Sequence, residues 1–170
     1  FKATLHDEWS YLFGAETFAR GRITNPTPPY PQFFDAFHIL CTPVWVSRYP
    51  PGHPAALAAG TLFGWPFAIV IAELAGAVLL TYLLARELAG EGVARVAGSL
   101  ALMAPGLDFL AGTYLSQTTF LCAMTGCYAA TVHGVRQQSW SLLALAGLAG
   151  GWAILTRPYS CSSVPSDPDP

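Results

Sequence analysis

Charge is what this sequence has least of. Only 11% of its 170 residues are Asp, Glu, Lys or Arg, while 53% are hydrophobic; an ordinary soluble domain is about 25% charged. A soluble globular enzyme is therefore excluded as the default expectation. Basic excess is missing too: 8 Lys and Arg against 10 Asp and Glu give a formal net charge of −2, which offers no electrostatic footprint for nucleic acid. No Cys-x-x-Cys pair occurs among Cys41, Cys122, Cys127 and Cys161, and no metal-ligand spacing links them; two of the four sit in apolar runs where any small hydrophobe would serve. The residues given start at Phe1 rather than Met, and no basic stretch with an apolar core precedes the polar N-terminal part, so an internal piece of a longer protein is expected.

What the chain does have is long apolar stretches, punctuated by 16 Gly and 14 Pro. A membrane-crossing helix needs about 20 mostly apolar residues, and four stretches meet or approach that length. Phe67 to Ala85 carries one charge, Glu73, and closes on Arg86 and Glu87. Val96 to Leu115 contains Pro105 and Asp108 near its far end. Thr118 to Val135 is interrupted by Thr, Cys, Tyr and His but has no Asp, Glu, Lys or Arg. Trp140 to Leu155 is short and strongly apolar, with Gly147 and Gly151 at the spacing that lets helices approach closely. Ala55 to Trp65, stopped by Pro66, reads as a half-helix that is re-entrant or interfacial. The expected fold is therefore all-α: a polytopic transmembrane helical bundle with a long structured first outer loop. Its parts are the loop over 1–54, the half-helix over 55–65, four spans over 66–158, and a Ser-, Pro- and Asp-rich tail over 159–170 that is disordered, truncated or aberrant.

Within the loop, Asp7 to Arg20 reads as an amphipathic helix on the membrane surface, and the proline-rich run from Thr24 to Pro31 excludes regular helix or central strand. Placing the loop outside puts Arg86, Arg95 and Arg136 in short inner loops, as the distribution of cations across membranes favours. Lys2, Arg20, Arg22, Arg48 and Arg157 then remain outside. This orientation holds if some of those arginines have another task, such as gripping an anion.

The chemistry-bearing residues are few. Asp7 and Glu8 form an adjacent carboxylate pair at the loop's start; a carboxylate there could act as a general base or hold a divalent cation. Capping of the following helix accounts for the pair equally well. In Arg48-Tyr49-Pro50-Pro51-Gly52-His53-Pro54 two prolines stiffen the backbone behind a guanidinium and a phenol, an arrangement suited to phosphate; an interfacial anchor is the rival explanation. His53 is either a ligand or proton carrier, or a plain hydrogen-bonding residue. Arg157, before Pro158, either caps the last helix or faces the same cleft as Arg48. Glu73 is a functional candidate because a carboxylate inside a span is costly. Asp108 lies nearer the interface.

These pieces, in this order, resemble a known group. HDEWSYLFGAETFARGRITNPTPPYPQFFDAFHIL followed by SRYPPGHPAALAAG is similar to the first outer loop of bacterial membrane glycosyltransferases of the GT-C class, which includes protein O-mannosyltransferases and aminoarabinose transferases. The likeness continues through TYLLARELAGEGVARVAGSLALMAPG to LAGLAGGWAILTRP. The resemblance implies sugar transfer from a polyprenyl-phosphate carrier to an acceptor at the outer face of the bacterial inner membrane, by inverting displacement. Asp7 then matches the catalytic carboxylate and Glu8 its neighbour, with a divalent metal near them as the only cofactor to consider. Arg48 stands close to the Lys that precedes Pro-Pro in aminoarabinose transferases, although here Tyr49 intervenes. Arg48, Tyr49 and Arg157 are the expected grip on the donor phosphate. The expected partners are the polyprenyl-phosphate-linked sugar, the bilayer and an acceptor that the sequence does not name. Two other classes compete: a multi-span transporter, which would also place Glu73 and Asp108 in the membrane, and a non-catalytic membrane scaffold, which leaves the clustering of Asp7, Glu8, Arg48 and Tyr49 without a reason.

Overall fold

The computed structural model describes residues 3–34 and 36–158; the tail over 159–170, and with it Cys161, lies outside the described residues, as does Lys2. Seven helices make up most of it: α1 (His6–Ala19), α2 (Gly52–Leu62), α3 (Phe67–Ala89), α4 (Glu91–Leu102), α5 (Pro105–Leu110), α6 (Gln117–Gln137) and α7 (Trp140–Thr156). Between α1 and α2 lie a 3₁₀ turn, Pro31–Phe33, and a two-stranded antiparallel ribbon of β1 (Ile39–Leu40) and β2 (Val46–Ser47), in the register Ile39 to Ser47 and Leu40 to Val46.

The expected polytopic bundle is not supported. Among the described residues only α3, with 23 residues, is long and apolar enough to cross a membrane. Two physical reasons account for the shortfall. The run from Val96 to Leu115 is not one helix, because Pro105 cannot donate a backbone hydrogen bond and forces Ala104 into an extended conformation at φ −73° and ψ 118°. Among the other two, α6 has 21 residues but its Thr, Gln, Cys and His dilute the apolar character, and α7, at 17 residues, falls just short in length. The inside-outside assignment that counted four crossings loses its basis with them. The cations it used have local partners instead: Arg95 Nε meets Glu91 at 2.9 Å, and Arg136 Nη1 meets the Glu87 carboxylate at 3.3 Å as well as its carbonyl.

α1 starts within a residue of where the sequence places it, but its buried face carries small and polar residues with Tyr11, rather than Trp9, Phe13 and Phe18. Ser10, Tyr11, Gly14, Ala15 and Thr17 turn inward, and Trp9 stays 57% exposed. Gly14 permits this docking: a Cβ there would lie 3.0 Å from the Pro54 side chain of α2. The core at this end joins Tyr11 and Ala15 of α1, Leu57 of α2, Val70 and Leu74 of α3, and Tyr114 from the α5–α6 connection. α3, α6 and α7 pack through glycines set against small or flexible side chains, Gly76 on Cys122, Gly126 on Leu80 and Gly150 on Cys127. The expected pair Gly147 and Gly151 takes no part; no atom lies within 4 Å of a Cβ built at either.

Candidate functional site

Asp7, Ser10, Tyr11 and Gly14 follow i, i+3, i+4, i+7 spacing, so they share one face of α1. The β-ribbon is fastened to that face. Ser10 Oγ donates to the His38 carbonyl at 2.7 Å and lies 2.8 Å from Ser47 Oγ, while Arg48 N donates back to the His38 carbonyl at 3.0 Å. His38, held from both sides through its backbone, projects its ring between Asp7 and Tyr49. Its Nε2 is 2.9 Å from Asp7 Oδ1, and its Nδ1 is 3.0 Å from the Tyr49 hydroxyl. Burial, together with hydrogen bonding and charge from Asp7, raises the Tyr49 pKa, so the phenol stays protonated. Its ring stacks on Tyr11 at 4.6 Å, and Tyr11 Oη in turn donates to Ser116 at 3.1 Å.

Tyr49 also lines a cavity of about 350 Å³, with Tyr11, Arg48, Pro50, Ser116, Thr156, Arg157 and Pro158. Arg48 and Arg157, so distant in the chain, thus share one cavity. The close approach that brings them together is made at Gly52. A Cβ there would sit 2.7 Å from the Thr156 backbone nitrogen and on top of its hydroxyl, so only glycine lets the start of α2 touch the end of α7. Arg48 holds its position partly through Nη1, which donates to the Phe37 carbonyl at 3.3 Å. Arg157 follows the last turn of α7 and donates its N–H to the Ala153 carbonyl at 2.9 Å.

Glu8 faces elsewhere. It is fully buried, at the third position of α1, and one oxygen accepts the backbone N–H groups of Thr4 and Leu5 at 2.7 and 2.9 Å. The other accepts the N–H of Tyr114 at 2.8 Å. Burial alone would raise its pKa, but these backbone donors outweigh that and hold it below the ordinary value. The expected catalytic pair is therefore split: Asp7, with its side chain 42% exposed, faces His38, and Glu8 is a structural anchor. The same split argues against a shared divalent cation, since Glu8 has spent both oxygens on backbone donors. Among the described residues no group of three or more His, Cys, Asp or Glu side chains is placed to hold a metal ion.

Glu73 and His53 form a second polar cluster; neither lines the cavity, although the His53 ring stands edge-on to the cavity-lining Tyr11 at 4.9 Å. His53 is buried, with Nε2 2.8 Å from the Tyr114 carbonyl and Nδ1 2.7 Å from Thr119 Oγ1; that hydroxyl is also 2.7 Å from the Glu73 carboxyl. Burial lowers the His53 pKa to about 4, only partly opposed by the Tyr114 carbonyl. Neutral His53 donates from Nε2 to the Tyr114 carbonyl, and the Thr119 hydroxyl, which donates to the Glu73 carboxyl, links that carboxyl to His53 Nδ1. His53 is thus a hydrogen-bonding tie between α2 and α6, and Glu73 has its partner on α6. Asp108 is exposed on the short α5.

Sequence reasoning missed His38. It lies in an irregular loop, and only the pairing of β1 with β2 brings it beside Asp7. The available signal was the polar and small stripe on α1, which needs a polar partner. No family model, curated protein or solved structure matches this chain.

Proposed function

We propose that this chain serves a membrane-bound glycosyl transfer, in which a sugar moves from a polyprenyl-phosphate carrier to an acceptor hydroxyl or amine at the outer face of the bacterial inner membrane. The observation that carries the reading is the cavity shared by Arg48, Tyr49 and Arg157, beside an exposed carboxylate, Asp7. Two guanidinium groups around one small cavity repel each other unless an anion lies between them, and planar donor forks suit phosphate oxygens. α3 supports the location: it is long and apolar, and only 17% of its apolar window is buried within the protein, unlike the core helix of a soluble domain.

In the proposed reaction the acceptor heteroatom attacks the anomeric carbon from the face opposite the phosphate. Its proton passes to the Asp7 carboxylate. The bond between the anomeric carbon and the phosphate oxygen breaks, and the electron pair leaves on the phosphate, where Arg48 and Arg157 neutralise the developing charge. Asp7 does not line the cavity; His38 and Tyr49 stand between, so the lipid phosphate occupies the cavity and the sugar extends past the Tyr49 ring toward Asp7. Glu8 and a metal have no step in this scheme. The test is transfer of radiolabelled sugar from a panel of polyprenyl-phosphate hexoses and pentoses, with the protein reconstituted in lipid vesicles. Absence of transfer from every donor, with phosphate-independent binding, would overturn the reading.

A further inference from the structure

We infer that His38 is a positioning residue that couples Asp7 to Tyr49, so that the carboxylate on α1 and the wall of the two-arginine cavity are held in one register. The inference rests on the glycosyl-transfer reading for its kinetic part, and on geometry alone for the coupling itself.

The proton assignment follows from the contacts. The Tyr49 phenol keeps its proton, and its hydroxyl lies 3.0 Å from His38 Nδ1, with the Asp7 carboxylate also within its hydrogen-bonding reach; with Nδ1 unprotonated, the phenol donates to the ring. A neutral imidazole accepting at Nδ1 carries its hydrogen on Nε2, and Nε2 is the atom 2.9 Å from Asp7 Oδ1. One ring thus reads both neighbours: it donates to the carboxylate and accepts from the phenol. This is the arrangement in which a carboxylate, an imidazole and a hydroxyl fix one another's orientation and tautomer. The ring has little freedom to do otherwise. Its backbone carbonyl is held by Ser10 and by Arg48 N, its face lies against Tyr49 at 5.2 Å, and Phe37 stands edge-on at 4.9 Å.

Protonation of His38 would reverse one bond. A hydrogen on Nδ1 forces Tyr49 to accept instead of donate, which turns its hydroxyl proton away from the ring. The charged and titratable groups around the ring are Asp7 on α1; Arg48 in the adjoining loop, whose guanidinium reaches the neighbouring Phe37 carbonyl; and the phenols Tyr49 and Tyr11. Glu8, though adjacent in sequence, turns its oxygens to backbone N–H groups on the other side of α1. The coupling therefore makes the cavity's phenol sensitive to the state of the carboxylate, and the carboxylate's aim dependent on the phenol.

Nitrogen-15 NMR of the histidines in the full-length protein, with His38 assigned through His38→Gln, measures this directly. Wild type is expected to show His38 with hydrogen on Nε2 and an accepting Nδ1, and Tyr49→Phe is expected to shift the Nδ1 resonance and the His38 titration midpoint. Transfer kinetics supply the second arm. His38→Phe should lower kcat by about 10²-fold with the KM for the polyprenyl-phosphate sugar within about threefold, and His38→Gln, which restores a donor toward Asp7, should recover part of the loss. An Nδ1 resonance and midpoint unmoved by Tyr49→Phe would overturn the inference, whatever the kinetics. So would equal losses in the Phe and Gln variants accompanied by loss of folded protein. If wild type transfers no sugar while Tyr49→Phe still moves the His38 resonance, the coupling stands and the glycosyl-transfer reading is the part that fails.

Discussion

Glu8 on α1 accepts the backbone N–H of Tyr114 at 2.8 Å, joining residues 106 positions apart. The same carboxylate holds the N–H groups of Thr4 and Leu5. Glu8→Ala leaves a buried donor unsatisfied, and a charged hydrogen bond lost in this way costs about 1.5–3 kcal/mol. The Ala variant should therefore unfold at lower denaturant than Glu8→Gln, which keeps one acceptor. Because the folded pKa lies below the ordinary 4.5, Glu8 contributes stability above that value and loses it as pH falls through the folded pKa. Acid titration of the folded fraction, flattened in Glu8→Gln relative to wild type, checks the sign.

Asp7 makes the opposite prediction from the adjacent position. Its side chain is 42% exposed and makes no backbone cap of the kind Glu8 makes. Asp7→Asn should leave the unfolding midpoint nearly unchanged and lower turnover by about 10²- to 10⁴-fold, the usual effect of losing a general base. Donor binding should persist. Wild-type turnover by the Asn variant would remove Asp7 from the mechanism.

Arg48 and Arg157 line one cavity, so they should act on one anion. Replacing either by Gln is expected to weaken polyprenyl-phosphate binding by about 1.5–3 kcal/mol, and the double variant should lose less than the sum, since each relieves repulsion on the other. Titration calorimetry in detergent with polyprenyl phosphate measures this. Strict additivity, or a lowered melting temperature without a change in affinity, would leave Arg157 as a helix cap and Arg48 as an anchor.

Much of the helical layout was legible because apolar residues come in runs. α3 begins where its run begins, at Phe67, and continues past Ala85 because Arg86 and Glu87 are good helix formers with room at the surface; it stops at Gly90, whose φ of 86° few other residues adopt. Counting apolar residues misled where backbone chemistry outweighs composition. Pro105 was visible in the run from Val96 to Leu115, yet its effect on Ala104 is what divides α4 from α5. In the site, sequence marked Asp7, Arg48, Tyr49 and Arg157, since charged and rigid residues stand out in a chain this apolar. It did not separate Asp7 from Glu8, because adjacency says nothing about direction; on a helix the two are a hundred degrees apart. The third-position glutamate was the available sign of a cap. His38 had no local signal, as its neighbours come from α1 and from beyond the ribbon.

His53 should make stability depend on pH at a higher range than Glu8. Its pKa falls to about 4 in the folded protein from an ordinary 6.5. The unfolded chain thus binds the proton more readily, so stability is complete above about 6.5 and is lost as pH falls toward 4, by about 3 kcal/mol if the group acts alone. His53→Gln, which can still donate to the Tyr114 carbonyl, should flatten that limb in chemical unfolding measured between pH 7 and 4. A limb unchanged by the substitution would assign the dependence to another group.

Gly52 connects the fold to the site. Its missing side chain is what allows the turn after Tyr49-Pro50-Pro51 to rest against Thr156, and this contact sets the distance between Arg48 and Arg157. Gly52→Ala adds one methyl group where backbone, not a flexible side chain, is the obstacle, so α2 and α7 must separate. Overpacking of this kind costs about 1–3 kcal/mol. The substitution should also widen the cavity, and polyprenyl-phosphate affinity should fall by more than the loss in stability explains, because the two guanidinium groups no longer converge. Gly64→Ala and Gly147→Ala separate the effects. Gly147 has open space around it within α7, and its Ala variant should bind the lipid as wild type does; Gly64, with φ of 75°, should lower stability through backbone strain alone and leave affinity in the folded fraction unchanged. Equal affinity in Gly52→Ala and wild type, with α7 still folded, would show that the contact between Gly52 and Thr156 does not set the spacing of the two arginines.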